Sequence, residues 1–191
     1  ENKTLIFYTN GLLGSRKSQT YSNFNDFMYN LSYWSSWSNG FNIWKSEFDK
    51  IDKNLKLNKL FPHTSLFLTQ HQAKLFCIND NLLFDVQRIP KRGGHNKFEA
   101  FTIEYPSLLD ECCKKGHIST KCKKHILFGI MVQFLPSLLF NKYIIRIETF
   151  DDTGFRDNLK KYYPSYAYWL VLISVLGVPF RLFCRKLKNK R

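Results

Sequence analysis

A short stretch of the sequence, CCKKGHISTKCKKH, concentrates side chains that bind metals or react as nucleophiles. Thiolate sulfur and imidazole nitrogen are the ligands that zinc prefers in proteins. A four-ligand set can be drawn from this stretch: Cys112, His117, Cys122 and His125. However, Cys112 and Cys113 are adjacent, which departs from the C-x2-C spacing of common zinc sites. We therefore predict neither a metal nor another cofactor, and keep this set as a zinc alternative.

The cysteines can instead form disulfide bonds. Four of them lie outside the most apolar part of the chain, and four cysteines allow three connectivities. Disulfides form in oxidising compartments, so this interpretation requires a lumenal or extracellular domain. Free thiols are the remaining alternative. The disulfide candidates are Cys77, Cys112, Cys113 and Cys122.

The sequence carries none of the common catalytic signatures. A GxxxxGK[ST] phosphate loop, a GxGxxG turn, an HExxH zinc motif and a GxSxG nucleophile elbow are all absent. Two pairs of acids are adjacent, Asp110 with Glu111 and Asp151 with Asp152. Adjacent side chains diverge in a strand or turn, and acids at a helix start interact favourably with its dipole. We therefore predict no catalytic residues and no enzymatic activity.

The clearest feature of the chain is an uncharged stretch near its C-terminus. From Tyr162 to Phe180, the sequence YYPSYAYWLVLISVLGVPF contains no charged residue. A helix of this length, at about 1.5 Å per residue, covers most of a hydrocarbon core of roughly 30 Å. Tyrosine and tryptophan cluster at its start, as they do at a membrane interface. We predict a transmembrane helix over 162–183.

A basic tail follows this predicted span. The formal net charge of the chain is +14, and much of the excess lies in the last residues, RLFCRKLKNKR. Basic residues beside a span favour the cytoplasmic side, so we predict that 184–191 is cytoplasmic. Cys184 lies at that face and is a candidate for palmitoylation. The candidates for contact with anionic lipid in this region are Arg181, Arg185, Lys186 and Lys188.

A second uncharged stretch leaves the topology open. The sequence ILFGIMVQFLPSLLF, from Ile126 to Phe140, follows Lys121, Lys123 and Lys124, which could form a second cytoplasmic flank. The alternative to a single span is therefore a two-span protein, with segments 126–145 and 162–183 and both ends in the cytoplasm.

The rest of the chain predicts a soluble α+β domain over 1–161. Hydrophobic residues make up 44% of the chain and aromatic residues 17%, enough to pack a core and to exclude a disordered chain. Two runs of apolar residues at helical spacing predict an N-terminal helical hairpin over 22–57, with Ser22 as N-cap. Short apolar runs between turn residues predict that 64–149 is mainly β, as a small antiparallel sheet. These runs are SLFLT, KLFCI, LLFDVQ, KFEAFTIEY and KYIIRIETF. A capped amphipathic helix with Phe155, Leu159 and Tyr163 on one side leads into the span.

Other features concern modification and charge. The sequons at Asn2 and Asn30 are candidates for glycosylation if this domain is lumenal. The loop RIPKRGGHNK is a further candidate contact with anionic groups, through Arg88, Lys91, Arg92 and Lys97. It has no interleaved aromatic residues, so we do not expect nucleic acid as a partner. The chain begins at Glu1 without a Met, which we interpret as a processed or trimmed product.

These features together predict a non-enzymatic, membrane-anchored protein. We expect membrane lipid and other protein subunits as partners, in a membrane complex or as an interaction or adhesion module. The predicted location is the endoplasmic reticulum, the secretory pathway or the cell surface, with a mitochondrial membrane as the alternative. One alternative function is the two-span protein, with a cytoplasmic domain that contacts anionic lipid in an organellar membrane complex. A further alternative is a basic component of a ribonucleoprotein.

Overall fold

The computed structural model describes residues 3–38, 40–85 and 96–189, with side chains up to Cys184. It combines many helices with a small sheet, so the prediction of mixed helix and strand is confirmed. The chain divides into two compact units. Unit 1 contains residues 1–86 and 108–126, and unit 2 contains residues 87–107 and 127–191.

The sheet belongs to unit 1 and has three strands, β1 (Thr4–Tyr8), β2 (Ser18–Tyr21) and β3 (Leu75–Asn79). Their order is β1-β3-β2. β3 pairs in parallel with β1 and antiparallel with β2. The sheet is therefore mixed, and the prediction of an antiparallel sheet is wrong for β1. The long connection between β1 and β3 is what allows parallel pairing, since a short turn joins only antiparallel strands.

The predicted N-terminal helical hairpin is not confirmed. The first helix exists as Phe24–Leu31, and its N-cap is Asn23, whose side chain accepts a hydrogen bond from the amide of Asp26 at 2.8 Å. It continues as a 3-10 turn at Ser32–Ser36. The second predicted helix is reduced to one turn, Lys45–Phe48. Turns and irregular chain replace the rest, because the apolar residues there find no packing partner and lie exposed.

The core of unit 1 is aromatic. The helix Phe24–Leu31 and the helix Pro62–Leu68, which continues as a 3-10 turn at Thr69–Gln72, contribute to it together with the sheet. Ring centroids lie 5.2 to 6.2 Å apart, mostly in tilted arrangements that suit the quadrupoles of aromatic rings. The buried rings are Phe7, Phe24, Phe27, Phe67 and Phe76.

Helices make up the remainder of the described chain. A helix over 97–114 consists of Lys97–Glu99, a π-helical turn at Ala100–Glu104, and Tyr105–Lys114. A long helix, Thr120–Ile144, follows and will be called the apolar helix. The predicted amphipathic helix is confirmed as Phe155–Tyr162, with Phe155, Leu159 and Tyr163 buried. Two further helices, Ala167–Val175 and Val178–Asn189, will be called the broken pair.

The prediction that 64–149 is mainly β is wrong for the described residues. Among these, the region contains one strand, Leu75–Asn79, and the run SLFLT lies mostly in the helix Pro62–Leu68. The run KFEAFTIEY is helical, and KYIIRIETF leaves a helix at Ile144. The physical reason is burial at helical spacing. Within 97–114, Phe98, Thr102, Tyr105 and Leu109 are buried at steps of three and four residues, whereas Phe101 and Ile103 of the predicted strand are only half-buried.

Candidate membrane-facing surface

The apolar helix is long enough to cross a membrane. It has 25 residues, and its most apolar 18-residue window has a mean hydropathy of 1.3. At about 1.5 Å per residue, such a helix is roughly 37 Å long, compared with a hydrocarbon core of about 30 Å. Slightly more than half of that window, 56%, is buried within the protein. Within the described part of the chain, this is the one unbroken helix that meets both criteria.

The broken pair meets the same criteria if its two helices are counted as one segment. Ala167–Val175 and Val178–Cys184 together are sufficiently apolar, but they meet at a bend of 53°. The bend has a local cause, because Pro179 has no amide hydrogen to bond the carbonyl of Val175. The predicted span over 162–183 is therefore not one straight helix. Its first residues form the end of the preceding helix and a turn.

A largely exposed apolar surface runs along the broken pair. Its side chains recur at steps of three and four residues, as one face of a helix requires. On other sides of the same helices, Ala167, Val171 and Val178 are buried. We name the exposed set the apolar stripe. Its members and their exposed fractions are Tyr166 (59%), Trp169 (58%), Ile173 (64%), Leu176 (82%), Phe180 (71%) and Phe183 (60%).

Arg181 does not lie among the stripe residues and does not project freely. Its guanidinium donates to the backbone carbonyl of Val132 in the apolar helix, and at 3.5 Å to the carbonyl of Ser174. Val132 lies in a π-helical turn, Ile130–Phe134, just before Pro136, where the regular α-helical hydrogen bonds are interrupted. Arg181 thus has contacts within unit 2, and its contact with lipid headgroups stays a prediction.

A proline disturbs the helix over 97–114 in the same manner. The π-helical turn ends at Tyr105, whose amide bonds the carbonyl of Ala100, five residues before it. In that register the next carbonyl, of Phe101, faces Pro106, which has no amide hydrogen. The hydroxyl of Tyr163 donates to this carbonyl at 2.7 Å. A phenol from a different helix therefore replaces the missing amide.

A charged cluster connects the end of the apolar helix with the segment that follows it. The ammonium of Lys142 lies 2.7 Å from the carboxylate of Asp152, and the hydroxyl of Tyr143 donates to the same carboxylate. Burial opposes ionisation of Asp152, but the hydrogen bonds from these two side chains lower its pKa below the ordinary value. The carboxylate is thus held ionised beside a cation.

Lys97 lies in a second, more buried contact. Its ammonium is 3.7 Å from the centre of the Phe150 ring and 3.9 Å from the carboxylate of Glu148. Only 18% of its side chain is exposed. Lys97 therefore interacts within unit 2, and its contact with an external anionic group stays a prediction. The companion candidates Arg88, Lys91 and Arg92 lie outside the described residues, as do the side chains of Arg185, Lys186 and Lys188.

The structure separates the members of the cysteine and histidine set. The ring of His117 stacks on His71 with centroids 3.5 Å apart, whereas His125 stacks on Tyr29 at 4.0 Å. The thiol of Cys122 is 3.6 Å from the carbonyl of Asn25, to which it donates. Within the described residues, no three side chains of the His, Cys, Asp and Glu types come together as a metal site.

The predicted disulfide bonds are not supported. All five cysteines are free thiols in the structure. Cys112 is almost fully buried, and this burial raises the pKa of its thiol to about 11. Cys184 is half-buried near the end of the described side chains. Of the sequons, Asn2 lies outside the described residues, and the side-chain amide of Asn30 donates to a backbone carbonyl of its own helix.

Sequence reasoning missed a buried carboxylate at the edge of the sheet. Asp80 follows β3 and accepts a hydrogen bond from the hydroxyl of Thr9, which follows the parallel strand β1, at 2.5 Å. It also accepts hydrogen bonds from the backbone amides of Leu13, Ser15 and Arg16 at 2.8 to 3.0 Å, and from the hydroxyl of Ser15 at 3.0 Å. These amides form a concave anion site that the protein's own carboxylate occupies. The arrangement holds the loop after β1.

A further exposed apolar segment of unit 1 lies where the second helix of the hairpin was predicted. Trp44 and Phe48 are about half exposed, and Leu55 and Leu57 are also accessible. Lysines lie between them in the sequence WKSEFDKIDKNLKLNK. The helical spacing of the apolar residues was visible in the sequence, but only the structure shows that this face is uncovered.

Comparison with models of known protein families, with curated proteins and with solved structures found no match for this chain.

Proposed function

We propose that this chain is a non-enzymatic integral membrane protein, acting as a subunit of a membrane complex. The apolar helix and the broken pair are its two membrane-embedded segments, and unit 1 lies on the cytoplasmic side. The observation that carries this proposal is the apolar stripe. The specific compartment is left to experiment.

Exposure of the apolar stripe to water would be unfavourable. Soluble monomers rarely expose large contiguous apolar patches, whereas six large side chains recur here along one face. In a bilayer this surface needs no further partner. The bond from Arg181 to Val132 fits the same surroundings, because a charged group at membrane depth requires a partner within the protein.

The distribution of basic residues supports the orientation. Five lysines lie just before or at the start of the apolar helix, and six basic residues follow the middle of the broken pair. The connecting segment 145–161 holds four basic and four acidic residues. By the positive-inside rule, both flanks are cytoplasmic. The contacts of Lys97 with Glu148 and Phe150 keep the connecting segment on the same side as residue 97.

Unit 1 then faces the cytoplasmic leaflet, which carries anionic lipid. Its exposed segment from Trp44 to Leu57 combines apolar side chains with lysines, a composition that suits the surface of such a membrane. This agrees with the interpretation of the domain as one that contacts anionic lipid.

The apolar stripe can be tested by placing a charge on it. Leu176 is 82% exposed, so Leu176→Lys should not disturb a protein surrounded by water. In a bilayer the same change costs about 3 kcal/mol. The matched control is Leu82→Lys, at a residue of unit 1 that is 63% exposed. We expect carbonate extraction to release the first variant from microsomes and leave the parent chain and the control in the membrane. Release of the parent chain itself would instead favour a ribonucleoprotein component.

The orientation can be tested by introduced cysteines and a membrane-impermeant maleimide. Lys50 is exposed in unit 1 and Asp157 is exposed in the connecting segment. In sealed microsomes we expect labelling of both Lys50→Cys and Asp157→Cys without detergent, beyond that of the parent chain. Protection of both positions would support the single-span protein with a lumenal domain. Labelling of Lys50→Cys alone would indicate that the two segments cross the membrane and would contradict the placement of the connecting segment.

A further inference from the structure

A cavity opens in unit 2 between the end of the apolar helix and the first helix of the broken pair. Its volume is about 350 Å³. Leu139 and Ile144 line it from the apolar helix, Leu172 and Val175 from Ala167–Val175, and Phe155 from the helix between them. The wall is therefore mainly apolar, and it lies at the end of the two segments that the connecting segment joins.

One end of this cavity is polar. Asp152 and the two tyrosines Tyr143 and Tyr168 also line it. Asp152 is paired with Lys142 at 2.7 Å, and the guanidinium of Arg156 lies 5.3 Å from the centre of the Tyr168 ring. Charges of both signs therefore lie beside an apolar space.

We propose that this cavity binds one acyl chain of a zwitterionic phospholipid, with the headgroup at the polar end. The proposal rests on the proposed function, since it needs the two helices to lie in a bilayer. A volume of 350 Å³ is near the lower end of ligand pockets, which hold about 300–1,000 Å³, so it admits a single chain and not a whole lipid.

The charges at the polar end favour a headgroup that also carries both signs. The phosphate is attracted by Lys142 and Arg156, and the ammonium group is attracted by Asp152. Tyrosine rings add favourable contact with a cationic group. An anionic lipid has the same phosphate but no cation for Asp152, so it leaves that carboxylate facing a negative headgroup.

The test uses the full chain, purified in detergent and mixed with phosphatidylcholine or phosphatidylglycerol of identical acyl chains. Native mass spectrometry measures the fraction of protein that retains one lipid. We expect phosphatidylcholine to be retained about tenfold better, the effect of one favourable charge contact of about 1.4 kcal/mol. Equal retention of the two lipids would overturn the headgroup assignment, and no retention of either would overturn the site.

Two variants at neighbouring residues locate the lipid. Leu172→Trp fills the cavity, whereas Ile173→Trp enlarges a residue of the apolar stripe and serves as control. We expect at least a tenfold loss of retained lipid in the first and none in the second. An equal loss in both would place the lipid on the general surface and contradict the proposal. Circular dichroism checks that both variants fold.

A third variant covers the case in which Leu172→Trp fails to fold. Asp152→Asn leaves the cavity its size but removes the negative charge, so the preference for phosphatidylcholine should fall towards onefold. An unchanged preference would contradict the role of Asp152. If carbonate extraction shows the chain to be integral but no lipid is retained, this inference fails while the proposed function stands.

Discussion

Replacement of Asp80 should destabilise unit 1 more than any change at an exposed carboxylate. The side chain is fully buried and accepts five hydrogen bonds, from Thr9, Leu13, Ser15 and Arg16. Hydrogen bonds to a charged group contribute about 1.5–3 kcal/mol each. The donor groups of Leu13, Ser15 and Arg16 lie near the surface, so they can hydrogen-bond to water when the carboxylate is removed. The hydroxyl of Thr9 is fully buried and cannot.

We therefore expect Asp80→Ala to lower the free energy of unfolding by about 3 kcal/mol. The largest part of this loss comes from the buried hydroxyl of Thr9, and smaller parts come from the backbone amides that the carboxylate bonds. Asp80→Asn should be nearly as harmful. Its amide group would direct N–H donors at backbone N–H groups that are themselves donors. The matched control is Asp49→Asn, at an exposed acid, which should change stability by less than 0.5 kcal/mol, as surface substitutions typically do.

The assay is urea unfolding of the full chain in detergent, followed by tryptophan fluorescence. A Trp169→Phe background leaves Trp34, Trp37 and Trp44, all of which belong to unit 1. With a slope of about 1–3 kcal/mol per molar urea, the loss corresponds to a midpoint roughly 1–3 M lower. A midpoint for Asp80→Ala within about 0.3 M of the control would refute the argument that this carboxylate holds the loop.

Four further outcomes are expected. Burial opposes ionisation of Asp80, but its hydrogen bonds lower its pKa, so its contribution is full above about pH 4, the ordinary value, and is lost as pH falls through the lower folded value. Unfolding titrations should therefore show the parent chain and Asp80→Asn converging in acid. Tyr163→Phe should cost about 1–2 kcal/mol in thermal or urea unfolding, because the carbonyl of Phe101 loses its donor. Gly40→Ala should cost about 3 kcal/mol or more by the same measurement, since a Cβ there would overlap the fully buried ring of Phe7. Denatured but unreduced protein should take up five maleimide mass tags, one for each free thiol.

Matched controls accompany these predictions. Pro106→Ala restores an amide hydrogen near Phe101, so it should reduce the loss caused by Tyr163→Phe; simple addition of the two effects would contradict the hydrogen-bond account. Gly177→Ala meets only one atom, at 3.5 Å, and should be tolerated where Gly40→Ala is not. Uptake of three mass tags would indicate one disulfide bond, and uptake of one tag would indicate two. In either case the number should rise to five after reduction, and the domain would be lumenal.

The helices that the sequence predicted correctly are those whose pattern needed no distant partner. Phe24–Leu31 and Phe155–Tyr162 each place apolar residues on one face, and that face is buried in the structure. The strand Leu75–Asn79 was also predicted, because it is short, apolar and bounded by turns. In each case local spacing and burial agree.

Other elements could not be predicted because the tertiary structure overrode the local pattern. The alternation in KFEAFTIEY predicts a strand, but the segment forms a helix with a π-helical turn just before Pro106. The spacing around Trp44 and Phe48 predicts a long helix, but no surface covers it, and only one turn forms. Periodicity alone does not show which of two faces will find a partner.

The sequence by itself determined that this chain has two apolar segments with basic flanks, since hydropathy and charge depend only on the order of residues. Only the tertiary structure decided which side chains of those segments remain exposed. It buried Val171, exposed Leu176, and directed Arg181 to the carbonyl of Val132. It also brought Asp80 to the loop after β1, because parallel pairing places the ends of two strands that are distant in sequence side by side. Such contacts join residues far apart in the chain, and no local pattern specifies them.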